Sequence, residues 1–220
     1  MSYNIAVDGP AGAGKSTIAK AVAKRMNLIY VDTGSLYRAI ALYMLRRGVD
    51  IADSEAVIAA CPDAQITIRY EDGIQNVYLN GENVNAYLRT EEVGNATSRI
   101  SVLPAVRERL VVLQKQLAAQ SDCIMDGRDI GTCVLPGADV KIYLTASSAV
   151  RARRRYDELS AKGENCDIEQ IQKDIEERDY RDMHREVSPL KQADDAVLVD
   201  TSDMTIEQVI DAIIAICKRE

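Results

Sequence analysis

The chain has neither tryptophan nor phenylalanine, and one histidine among its 220 residues. That histidine, His184, lies amid charged residues on an expected exposed helix, so a catalytic histidine is not expected. The five cysteines (Cys61, Cys123, Cys133, Cys166 and Cys217) are odd in number and nowhere spaced as Cys-x-x-Cys. Their spacing argues against a disulfide framework or a zinc cluster and for reduced thiols. No apolar run approaches the ~20 residues that a membrane helix needs, and Met1-Ser2-Tyr3-Asn4 carries no basic stretch. A soluble cytoplasmic protein without a membrane partner is expected. Excess positive charge is also lacking: the net charge is -7. Broad nucleic-acid binding requires a continuous basic surface and is disfavoured. An acidic protein that holds polyphosphate must concentrate its positive charge, so the arginines are a map of anion sites. No apolar surface stripe calls for a partner, and a monomer is expected. The ten tyrosines are the only aromatics, for which composition supplies no functional reason.

What is present is globular. Hydrophobic residues make up 47% and charged residues 28% of the chain, a length and composition suited to a single domain spanning 1–220. The apolar run Ile5-Ala6-Val7 ends at Asp8, a glycine-rich loop follows, and Ile18, Ala19, Val22 and Ala23 recur on one helical face. A second strand is expected over 28–31, then a helix through Arg47 closed by Gly48. Residues 64–84 alternate and turn at Asp72-Gly73 and Asn80-Gly81, the pattern of a small antiparallel insert. A helix from Pro104 to Gln120, buried strands at 123–125 and 140–144, charged helices over 147–162 and 167–185, a strand over 196–199 and a helix from Thr205 complete the pattern. The alternation of strands and helices predicts an α/β fold with a doubly wound parallel sheet.

Gly9-Pro10-Ala11-Gly12-Ala13-Gly14-Lys15-Ser16 satisfies G-x-x-x-x-G-K-S/T between a strand and a helix. Such a loop converges backbone N–H groups on phosphate oxygens, Lys15 reaches the β and γ phosphates, Ser16 can hold Mg²⁺, and Thr17 begins the helix beside them. The loop alone suits a switch, a motor or a kinase. Four further groups bear on that choice. Arg178, Asp182 and Arg185 follow i, i+4, i+7 and share a helix face that can take a phosphate and a hydroxyl, although a solvated face with internal ion pairs has the same spacing. Arg151, Arg154 and Arg155 line another helix, which as a mobile arm could close over ATP. Asp126-Gly127-Arg128-Asp129 and Asp32-Thr33-Gly34-Ser35-Leu36-Tyr37-Arg38 each follow a strand, where open α/β sheets place ligands. Asp126 is suited to organising Mg²⁺, and Thr33 or Ser35 to capping a helix. Many arginines with no obvious base fit a phosphate acceptor, which is already ionised, better than an alcohol.

Several motifs in one order, IAVDGPAGAGKST, VDTGSLYRAIAL, NATSRIS before PAVRERL, IMDGRDIGTCVLPGADVKIYL and ERDYRDMHREVSPL, make the chain similar to the bacterial cytidylate kinases over nearly its whole length. The resemblance implies a P-loop kinase that transfers the γ-phosphoryl group of ATP, with Mg²⁺, to CMP or dCMP. It implies catalytic roles for Lys15, Asp126, Arg128 and Arg178, and a donor site of residues 9–17 with Arg154. It implies monophosphate-site roles for Thr33, Tyr37 and Arg38, cytosine reading by Ser98, Arg107 and Asp129, phosphate contacts from Arg128, Arg178 and Arg185, and sugar contacts from Asp182. It also implies a monophosphate-binding region over 33–98 that includes the insert, and a helical lid over 151–167. Thr33 stands where the family often has serine, and Cys166 alone cannot supply a zinc cluster of the kind found in some adenylate kinase lids. Kinases for another nucleotide such as UMP, and a nonenzymatic nucleotide switch, are the rival readings.

Overall fold

The computed structural model describes residues 2–71 and 73–218. Its elements in chain order are β1 (Asn4–Asp8), α1 (Lys15–Met26), β2 (Ile29–Asp32), α2 (Thr33–Arg46), α3 (Ser54–Ala60), β3 (Ile66–Glu71), β4 (Ile74–Leu79) and β5 (Glu82–Asn83). They continue with α4 (Glu91–Ile100), α5 (Pro104–Gln120), β6 (Cys123–Asp126), β7 (Val140–Thr145), α6 (Ser148–Ala161), α7 (Ile168–His184), β8 (Val197–Asp200) and α8 (Ile206–Cys217). None of the described helices is long and apolar enough to cross a membrane. The described residues divide into two compact units, one of Ser2 with residues 29–71 and 73–121, the other of residues 3–28 and 122–218.

In the unit that contains the glycine-rich loop, four strands lie side by side in the order β6-β1-β7-β8. All are parallel: Ile5 is registered against Ile124 on one side and Val140 on the other, and Tyr143 against Leu198. An interior parallel strand is covered on both faces, so β1, β6 and β7 are near-continuous apolar runs without alternation. Ile5, Ala6, Val7, Ile124, Met125, Ile142 and Leu144 are buried. Helices α1 and α8 pack together, burying Ile18, Ala19, Val22, Val209, Ile210 and Ile213. Parallel registry sets the carboxyl ends of β1, β6 and β7 along one edge, so Asp8 and Asp126 each open a loop there.

The other unit is organised around α2, with ten of fourteen residues buried. Leu36, Ile40 and Met44 share a core with Val57, Val77, Leu79, Ile100, Val106 and Leu110. The insert is a three-stranded antiparallel sheet, β3-β4-β5. At the β4–β5 turn Asn80 and Gly81 have φ of 49° and 87°, the two positive values a type I′ hairpin demands. The expected Asp72-Gly73 turn falls partly on Asp72, which lies outside the described residues.

Several boundaries and elements differ from the sequence-based expectation. Strands β2 and β8 begin and end one residue later than expected. The cap of α2 is Asp32, whose carboxylate accepts from Ser35 N at 3.0 Å, rather than Thr33 or Ser35: Thr33 is already helical, whereas Asp32 is extended. Helices α3 and α4 have no counterpart in the expected pattern. Residues 91–100 include Gly94, Asn95, Thr97 and Ser98, all weak helix formers, and they hold a helix because Val93, Ala96 and Ile100 bury one face. After Asp126-Gly127-Arg128-Asp129 comes a single π-helical turn, Ile130–Val134, an element that the sequence pattern does not predict.

Candidate active site

The glycine-rich loop leaves the end of β1 with Gly9 at φ 147°, and a Cβ there would overlap the carbonyl oxygen of Leu144. Only glycine fits this close approach. Gly14, at φ 89°, caps α1, whose amino end thus opens on the loop. The buried Lys15 ammonium donates to the carbonyls of Gly9 (2.8 Å) and Pro10 (2.7 Å). Burial, with the nearby Arg128 charge, holds its proton affinity well below that of an ordinary lysine. Ser16 Oγ donates to Asp126 Oδ2 at 2.8 Å, which brings the loop hydroxyl onto the carboxylate at the end of β6. Asp8 is also buried and accepts from Ile130 N (2.8 Å) and Gly131 N (2.7 Å). Burial outweighs those two bonds and pushes its pKa up to about 6.

The loop after β6 meets α7 in the same unit. Arg128 Nε donates to Asp182 Oδ2 at 2.9 Å, and Arg185 Nη2 lies 3.6 Å from Asp129 Oδ1. Burial by itself would raise the Asp182 pKa, but the charges of Arg128, Arg178 and Arg185 outweigh it and hold the carboxyl below its usual range. Three guanidinium groups therefore act on one carboxylate. Arg178 and Asp182 lie on α7, whereas Arg185, expected on the same helical face, is the extended residue just past its end, and Asp182 and Arg185 meet the β6 loop through Arg128 and Asp129.

In the other unit, Thr33, Tyr37 and Arg38 lie on the first turns of α2. The Asp32 carboxylate sits 3.7 Å from Arg38 and 3.6 Å from Arg89. Gln75 of β4 ties the insert to this helix start, accepting from Asp32 N at 2.8 Å and donating to Ser35 Oγ at 2.8 Å. The buried Arg107 lies over the Tyr37 ring, 5.7 Å from its centroid, and donates to Ser101 O at 3.1 Å. Ser98 is one turn before Ser101, whose hydroxyl donates to its carbonyl.

A family model described as cytidylate kinase matches residues 5–219. A cytidylate kinase from Lactobacillus johnsonii is 47% identical over 216 residues, covering 98% of this chain and 94% of that protein. The chain belongs to the cytidylate kinase family. A second family member, from Lactiplantibacillus plantarum, is 48% identical over 220 residues, covering 100% of this chain and 96% of its own length. Among solved structures, an uncharacterized protein from Eubacterium ventriosum aligns with a TM-score of 0.56 at 10% identity, covering 100% of both chains. A gluconokinase from Sinorhizobium meliloti aligns with a TM-score of 0.50 at 14% identity, covering 99% of this chain and 92% of that one. At those identities the likeness is one of fold.

Within this kinase the α6 arginines do not act as one exposed face. Arg154 donates to Thr201 Oγ1 (3.2 Å) and O (2.8 Å). Arg155 and Lys162 both pair with Glu158 on the exposed surface. Arg151, unlike Arg154 and Arg155, is buried, and all three sides of its guanidinium have partners. His184 is exposed and stacks on Tyr180. Sequence reasoning missed Asp8, Gln75 and Arg89. An acid as the last residue of a strand, directly before a phosphate loop, was a usable signal for Asp8, whereas Gln75 and Arg89 stand in no motif.

Proposed function

We propose that this kinase transfers the γ-phosphoryl group of ATP to CMP or dCMP, giving CDP or dCDP and ADP. The observation that carries the reading is the Arg128–Asp182 ion pair at 2.9 Å beside the Arg185–Asp129 pair, with the charge of Arg178 also acting on Asp182, in the same unit as the phosphate loop. One anion site is the loop itself, and these arginines form a second. A kinase whose acceptor is an alcohol needs a base beside its phosphate loop, whereas a phosphate acceptor needs alignment and charge neutralisation.

In this reading the backbone of residues 9–17 and Lys15 bind the donor phosphates. The two carbonyl bonds that hold the Lys15 ammonium are exchanged for phosphate oxygens, which restores its proton affinity. Arg128, Arg178 and Arg185 neutralise the acceptor phosphate, and Asp182 receives the sugar hydroxyls. Thr33, Tyr37 and Arg38 serve the monophosphate site, and Ser98, Arg107 and Asp129 read cytosine. Hydroxyl and carboxylate oxygens are hard donors suited to Mg²⁺, and the adjacent Ser16 and Asp126 fit an ion that arrives with ATP. That ion would offset charge on the transferring phosphoryl group. Residues 33–98 form the acceptor region in this reading, and 151–167 a lid, with Arg154 reaching the donor.

Steady-state turnover with CMP, dCMP, UMP, AMP and dTMP, followed as ADP release, tests the proposal. CMP and dCMP should have the highest kcat/KM. A higher value for UMP would overturn the cytosine assignment, and ADP release independent of any acceptor would overturn the kinase mechanism.

A further inference from the structure

Arg151 is buried at the start of α6, and each side of its guanidinium has a separate acceptor. Nε donates to Ala146 O at 2.9 Å, Nη1 to Ala11 O at 3.0 Å, and Nη2 lies 2.7 Å from Asp179 Oδ2. The stem of the same side chain lies along Gly12, where an added Cβ would stand 3.5 Å from Arg151 Cβ. Arg151 therefore touches two consecutive residues of the phosphate loop, one by hydrogen bond and one by packing. Its anchor, Asp179, is buried on α7 and follows Arg178 directly. Asp179 Oδ1 has no hydrogen-bond partner among the described residues. A buried carboxylate with one idle oxygen is costly for folding alone, which points to a purpose for the Nη2 pair beyond stability.

The bond to Ala11 O has a geometric consequence. A trans peptide is planar, and its C=O and N–H point in opposite directions. With the Ala11 carbonyl held toward Arg151, the N–H of Gly12 in the same peptide unit points away from α6. Gly12 has φ of 75°, where the backbone has no side chain to restrain it, so this plane depends on an outside contact for its orientation.

We propose that Arg151 is a positioning residue of the donor site: held by Asp179, it sets the peptide plane between Ala11 and Gly12 so that the Gly12 N–H is presented to the phosphates of the donor nucleoside triphosphate. The proposal rests on the reading of residues 9–16 as the donor site. Lysine at this position has one point-like head in place of a planar three-sided fork and cannot meet all three acceptors in the same geometry.

The test is ATP binding to the full-length chain by calorimetry without acceptor, together with KM for ATP and for CMP and the melting temperature. Arg151→Met and Arg151→Lys should both weaken ATP about tenfold, the loss of one charge-assisted contact, with KM for CMP moved less than about twofold. Asp179→Asn keeps the side-chain shape and guards against a misfolded Arg151 variant. It should weaken ATP binding by about threefold or more in a chain with a wild-type circular dichroism spectrum. ATP affinity within about twofold of wild type in folded Arg151→Met or Asp179→Asn would overturn the proposal, as would equal increases in both KM values. Failure of the wild type to phosphorylate CMP would instead count against the proposed function and leave the ATP-binding comparison intact.

Discussion

Asp8 is a buried acid whose chemistry is set mainly by its enclosure. Its carboxylate is enclosed at the end of β1 and holds the N–H groups of Ile130 and Gly131, which orients the turn that follows Arg128 and Asp129. Because its pKa rises from 3.8 to about 6 on folding, the folded state holds a proton that the unfolded state releases between those values. Its contribution to stability is therefore complete below pH 3.8 and is lost as pH rises through about 6, a change of about 3 kcal/mol. In Asp8→Asn one acceptor is lost at every pH, but the titration is gone. Urea unfolding of both chains at pH 4.5, 6 and 7.5 should show the stability of wild type relative to Asp8→Asn falling as pH rises. A constant difference would contradict the role of burial. The glycines, Lys15 and Ser16 were legible in the sequence because their chemistry is complete within eight consecutive residues. Asp8 and Arg151 were not, since the groups they hold lie 122 and 140 positions away.

At the scale of elements, the β6 loop and α7 act through a shared ion pair. Arg128 and Asp182 are separated by 54 positions, and their side chains are 22% and 13% exposed, so the pair is screened much less than one on the surface. Arg128→Ala, Asp182→Ala and the double variant should show a coupling energy of about 1 to 3 kcal/mol in denaturant unfolding. Additive effects within about 0.5 kcal/mol would show the pair to be incidental. The spacing of Arg178 and Asp182 identified a face of α7, with Arg185 just past the helix end, but a helical pattern does not say whether that face meets solvent or a neighbour. The parallel strands were readable for the opposite reason, because burial on both sides leaves a run of apolar residues that has few other uses. Helices α3 and α4 were not readable: α3 has only seven residues, too few to show a period, and α4 is rich in weak helix formers, so burial of Val93, Ala96 and Ile100 decides it.

For the whole molecule, binding must appear as stability. A nucleotide that binds only the folded chain adds about 2.7 kcal/mol at a hundred times its Kd. Melting should therefore shift upward with ATP and with CMP separately, and CMP should raise it more than AMP does at equal concentration. An AMP shift equal to that of CMP would remove the case for cytosine reading. The sequence by itself determined the alternation of parallel strands and helices, the antiparallel insert, the phosphate loop and the family, since each is written in local periodicity or in contiguous motifs. Only the tertiary structure decided that Arg151 is buried against Ala11, Ala146 and Asp179, that Asp32 caps α2 while facing two arginines, and that Arg128 pairs with Asp182. Those outcomes depend on which distant groups surround a charge, and a charge in water and a charge in a protein interior have the same one-letter code.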